Sequence, residues 1–172
     1  MTVGQGIDVE RADLYLRGGR LASGAWGCGF AILANHRTRD DPHVERDISV
    51  EQVNNGSHIA TGVTATSFTV SHKARQARTP VTHLSFAIDQ DPDPIDVRFA
   101  AAGADGAVHA ALATDDATRL YAAVDAGSFI TLNMDYQDLP SDALRFRLVP
   151  DGAAQAQGAL ARLCTPLPAA HR

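Results

Sequence analysis

The residues in this chain best suited to chemistry are carboxylates and imidazoles gathered in two short loops. The first loop reads Asp89-Gln90-Asp91-Pro92-Asp93-Pro94-Ile95-Asp96. Its alternating carboxylates match the opening D-x-D-x-D spacing of a calcium loop, and a hard cation takes about 6–8 oxygen ligands. Asp89, Asp91, Asp93 and Asp96 are therefore the candidate metal ligands, with Ca2+ as the one cofactor they would suit. The match to an EF-hand stops at Pro94 and Ala100, which stand where the sharp-turn Gly and the bidentate Glu belong. A polyproline-like connector kept in solution by its acids accounts for the same residues.

The second loop, His36-Arg37-Thr38-Arg39-Asp40-Asp41-Pro42-His43, supplies His36, Asp40, Asp41 and His43 as a candidate binding set. Curled back on itself, it could hold a transition metal or pair a general base with an orienting acid. The His-x6-His spacing matches no metal motif, and a solvated charged loop explains it as well. His58, His72, His83 and His109 lie on or beside expected strands, where a barrel could bring two or three together. No G-x-S-x-G, P-loop or G-x-G-x-x-G motif occurs. Gly27-Cys28-Gly29 could present a thiol, although Cys28 reads better as a small buried residue of an apolar strand.

The elements that must position these groups are mainly strands. Side chains on a strand alternate between two faces, so residues of one parity share one face. Leu84, Phe86 and Ile88 form one such set, and Ile95, Val97 and Phe99 a second. Ile130, Leu132, Met134 and Tyr136 form a third, and Leu144, Phe146 and Leu148 a fourth. Each predicts a half-buried strand, with His83, Ser85, Asp96, Arg98, Arg145 and Arg147 outside or at edges. Arg98, Arg145 and Arg147 could then form a positive stripe if their strands pair.

Earlier in the chain, Leu14 and Leu16 alternate before Gly18-Gly19, and the continuously apolar Trp26–Asn35 predicts a central strand. Gly27 and Gly29 within it suggest a bulge or a close backbone approach. His36–Asp47 reads as a solvated loop, and Lys73–Pro80 as a basic loop. Asn54-Asn55-Gly56 predicts a type I′ hairpin, with the next strand resuming at Ser57. A further strand is expected over Ala107–Ala113. Ala117–Val124 fits a strand through Leu120, Ala122 and Val124, although Asp115 and Asp116 could cap a short helix; strand is the reading adopted. Ala153–Cys164 favours helix, with Pro166 and Pro168 preventing its continuation.

Residues 13–21 (DLYLRGGRL) resemble the opening strand and turn of cyclic amidohydrolases. The resemblance implies a His-x-His metal motif and a (β/α)8 barrel; the motif is absent, and the chain is too short for the barrel.

At 172 residues the chain is expected to form one domain, with residues 1–12 an extended N-terminal segment and 151–172 a C-terminal helix and tail. The 15 basic and 20 acidic residues leave a charge of −5, which argues against nucleic acid as a partner. Lys73 is the only lysine, so the other basic side chains are Arg, a bias expected of a GC-rich bacterial or phage genome. Cys28 and Cys164 show no C-x-x-C spacing; one disulfide could join them, but nothing in the spacing requires it. No signal-peptide h-region and no membrane span is read, so the expected location is the cytoplasm, a particle or an exported assembly. Trp26 is the sole tryptophan, alongside three Tyr and six Phe that fall mostly on inner parities, leaving few aromatic platforms for sugar.

The fold class expected is all-β: an antiparallel β-sandwich (jelly-roll or Ig-like) or barrel with a short C-terminal helix. The function expected is that of a non-catalytic structural or attachment subunit of a larger assembly, such as a bacteriophage particle or secreted appendage. It would act through protein or glycan contacts, as a homo-oligomer or in a larger array. The alternative is a small β-barrel lyase, isomerase or hydrolase with a His/Asp site, with or without a metal.

Overall fold

The computed structural model describes residues 11–20, 22–37, 44–71, 74–77, 81–99, 103, 107–137, 141–147 and 158–164. Among these residues ten strands form two antiparallel sheets. The larger contains β1 (Arg11–Arg20), β2 (Trp26–Arg37), β3 (Val44–Asn54), β4 (Ile59–Ser71) and β5 (Ala74–Ala77) in that spatial order. β8 (Val108–Ala111) also pairs with β4. The smaller sheet has β6 (Val81–Ile88), β7 (Ile95–Asp96), β9 (Ile130–Tyr136) and β10 (Asp142–Phe146), in the order β10-β9-β6-β7. Helix α1 (Thr114–Ala126) precedes β9, and the short α2 (Ala159–Cys164) follows β10.

The period-2 pattern decides which faces meet. Ile130, Leu132, Met134 and Tyr136 are all buried and the residues between them are not. Leu84, Phe86, Ile95, Val97, Leu144 and Phe146 join them on the inner face of the smaller sheet. Across the interior stand Phe30, Ile32, Ile48, Val50, Val63, Ala65 and Val108 from the larger sheet. Each large side chain so enclosed contributes roughly 1.5–3 kcal/mol. Leu148 lies outside the described residues.

Four expectations are corrected. Ala117–Val124 belongs to helix α1, not to a strand: Ala117, Leu120, Ala123 and Val124 are buried, which is helical spacing, while Ala122 is exposed. Asp115 and Asp116 sit in the first turn, where the helix dipole favours them, and Gly127 (φ 72°) ends the helix in the left-handed conformation. Within the supposed basic loop, Ala74–Ala77 forms β5, held by pairing with β4 from Ser71↔Ala74 to Phe68↔Ala77. The charged stretch after Asn35 is partly strand, since β2 and β3 stay in register out to Arg37↔Glu45. The predicted hairpin forms, but with β4 starting at Ile59 and, among its residues, positive φ at Gly56 alone, whereas type I′ needs two such residues. The Asn55 side-chain oxygen accepts the Ser57 and His58 amides, and this stabilises the wider loop.

The close approach expected at Gly29 is present, because a Cβ there would collide with the backbone carbonyl of Gln52. Gln52 itself is 2% exposed and donates from Nε2 to Thr61 Oγ1 (2.7 Å) and to the Ala117 carbonyl (2.8 Å), tying α1 to the larger sheet.

α2 is fastened across the inner ends of β1 and β2. Cys164 is disulfide-bonded to Cys28, 136 residues earlier. The Trp26 indole donates to the Leu163 carbonyl (3.2 Å), and Gly18 leaves room for the Leu163 side chain. Asp125 Oδ1 accepts the Leu160 and Ala161 amides, so a residue of α1 caps α2. Leu160 is fully buried.

Candidate functional site

The outer face of the smaller sheet gathers polar residues because its inner parity is wholly apolar. Asp135 lies directly opposite His83 in the β9–β6 register, and Ser85 lies opposite Asp96 in the β6–β7 register. This brings His83 between two carboxylates: Nδ1 is 3.1 Å from Asp135 Oδ2, and Nε2 is 3.3 Å from Asp96 Oδ1. Ser141, just before β10, donates its hydroxyl to Asp135 Oδ1 at 2.5 Å. That bond, then His83, holds the Asp135 carboxyl below its usual range.

The chemistry open to this row is limited by its connectivity. In a nucleophilic triad the base must touch the hydroxyl, whereas here Ser141 bonds the carboxylate and both imidazole nitrogens face carboxylates. His83 is 48% exposed and stands on a pleated surface in solvent. Ser85, expected on this outer parity, is buried among its neighbours.

The acidic loop is distributed over several elements. Asp89 pairs with Arg145 of β10 at 2.6 Å. Arg119 of α1 donates to Asp91 Oδ2 (2.8 Å), to the Asp93 carbonyl (2.6 Å) and to Asp116 (3.3 Å). Asp91 also accepts the Asp93 amide, and Arg119 first, then that amide, lowers its pKa. Gln90 (φ 72°) turns the chain so that the Asp91 amide reaches the Ile88 carbonyl. The loop thus docks α1 onto the smaller sheet and reaches across it to β10. Among the described residues, no three His, Cys, Asp or Glu side chains converge as a metal would require.

His36 lies in β2 opposite Arg46 of β3. Asp40, Asp41 and His43 lie outside the described residues, as does His72. His58 is in the β3–β4 loop and His109 on β8, where its Nδ1 is 3.2 Å from Thr64 Oγ1; neither is on the sheet that carries His83.

Comparison with protein-family models, curated proteins and solved structures finds no match. The site therefore rests on geometry alone.

Three features escaped the sequence reading. One is Asp135–Ser141, which needed the β6–β9 register. Another is Phe129, whose ring lies beneath Arg145 and Arg147 at 4.1 and 4.4 Å; β10 and β7 are at opposite edges of the sheet, so Arg98 is not beside them. The third is a depression of about 240 Å³ on the larger sheet, lined by Gly19, Gly27, Gly29, Arg20, Glu51 and Val53 among others. Its character is apolar. No helix among the described residues is long and apolar enough to cross a membrane.

Proposed function

We propose that the chain is a non-catalytic β-sandwich subunit of a larger assembly, such as a bacteriophage particle or secreted appendage, working through protein or glycan contacts on its surface. The observation that carries this reading is where the polar chemistry lies. Asp89 and Asp91 pair with Arg145 and Arg119, and Asp96 and Asp135 flank His83, on open sheet and loop surfaces above a filled apolar interior. A catalytic site draws its strength from a water-excluded cleft with convergent groups. The Cys28–Cys164 disulfide adds support for a particle or exported location, since such bonds persist in oxidising surroundings.

Gradient fractionation of the producing culture with non-reducing mass spectrometry tests the proposal. The expected result is a chain in the high-mass particle or exported fraction, two hydrogens lighter than its reduced form. A monomer with both thiols free in the cytosolic fraction would contradict it.

A second reading, a small lyase, isomerase or hydrolase, is favoured by one observation, the Asp96–His83–Asp135 row. It requires a substrate whose turnover collapses in His83→Gln.

A further inference from the structure

We propose that the chain pairs with a second copy of itself through β1, joining two six-stranded sheets into one across a two-fold axis. This deepens the subunit reading and rests on it. Unpaired strand edges invite other strands, and proteins blunt them by keeping them short, charged, bulged or interrupted by proline. The smaller sheet ends in β7, of two residues, and β10, of five. The far side of the larger sheet ends in β5 and β8, of four residues each. β1 differs from all of these. It has ten residues, no proline and an unbroken register with β2 from Arg11↔Asn35 to Arg20↔Trp26. Among the described residues no strand pairs with its outer edge.

The occupant that fits this edge is read from its charges. Asp13, Tyr15 and Arg17 share the parity opposite to Leu16, which packs against the core. An antiparallel partner related by a two-fold at Tyr15 places Asp13 of each copy opposite Arg17 of the other. The same operation sets Leu14 opposite Leu16, and Ala12 opposite Gly18. Two opposite-charge pairs and two leucine pairs thus form from a single strand meeting itself, the self-complementarity that a closed dimer demands. Main-chain hydrogen bonds along the edge supply the rest, as in β-strand addition.

The test is sedimentation velocity on the full oxidised chain over a range of concentrations, with circular dichroism to confirm folding. Wild type is expected to dimerise. Asp13→Arg or Arg17→Asp alone sets like charges across the axis and should raise the dissociation constant at least about tenfold. The double swap exchanges the partners and should restore it. Should a single variant fail to fold, Tyr15→Cys serves instead, because the axis sets position 15 against its own copy and mild oxidation should yield a covalent dimer. An oligomer indifferent to the charge changes and uncrosslinked at position 15 overturns the β1 pairing while leaving the subunit reading intact. A monomer at every concentration likewise overturns the β1 pairing, whereas the subunit reading falls only if the chain is also absent from the particle or exported fraction.

Discussion

At the residue scale, the decisive pattern is that Asp89 and Asp91 of the acidic loop find arginines on other elements. Arg119 meets the Asp91 carboxylate and the Asp93 carbonyl, fixing α1 to a loop that in sequence looked like a cation site. This yields a pH dependence. Asp91 and Asp135 have pKa values lowered in the fold from an ordinary 3.8, by Arg119 and by Ser141 respectively. A carboxyl with a depressed folded pKa adds stability above its unfolded value, and that stability is lost as pH falls through the folded value. Thermal melts should therefore show wild type above Arg119→Met at neutral pH, with the gap closing only below the ordinary carboxylate range. A gap that stays constant into strong acid would refute the Asp91 contact. Gln52 shows the opposite economy: its amide nitrogen is fully used while its buried Oε1 has no partner among the described groups. None of these partners was legible in the sequence, because each depends on which elements become neighbours.

At the scale of elements, legibility followed periodicity. β9 announced itself because its alternation is strict, and β6 and β10 because Leu84 with Phe86 and Leu144 with Phe146 recur at a two-residue spacing. α1 was missed because Leu120 and Val124 satisfy both a two-residue and a helical period, and only burial of Ala117 and Ala123 separates the two. β5 was missed because its sequence, ARQA, has no apolar alternation and exists through its ladder to β4. The Cys28–Cys164 bond could not be read from two cysteines 136 residues apart, since it follows from α2 crossing β2. Replacing both cysteines by Ser should lower stability by about 2–4 kcal/mol and speed amide exchange in α2. The Trp26 and Asp125 bonds and buried Leu160 should keep the two sheets themselves intact. Unchanged melting and unchanged exchange in α2 would show that the clasp does not bear on the fold.

At the scale of the whole molecule, two sheets enclose the apolar residues and leave the chemistry outside. The all-β sandwich was readable because so much of the chain alternates, whereas the order of strands, and hence the His83 row and the long β1 edge that no described strand pairs, was not. The two surfaces differ in a way that suits a subunit. The smaller sheet presents paired charges between short edges, while the larger carries exposed Leu33 and Val53, a glycine-floored depression and the ten-residue edge. The proposed self-pairing therefore uses the larger sheet. The most direct measurement is hydrogen exchange of the wild-type chain at low and high protein concentration. Amides of residues 11–20 should slow as concentration rises while those of β7 and β10 stay unchanged; β1 exchange that ignores concentration, or slowing confined to the smaller sheet, would contradict it.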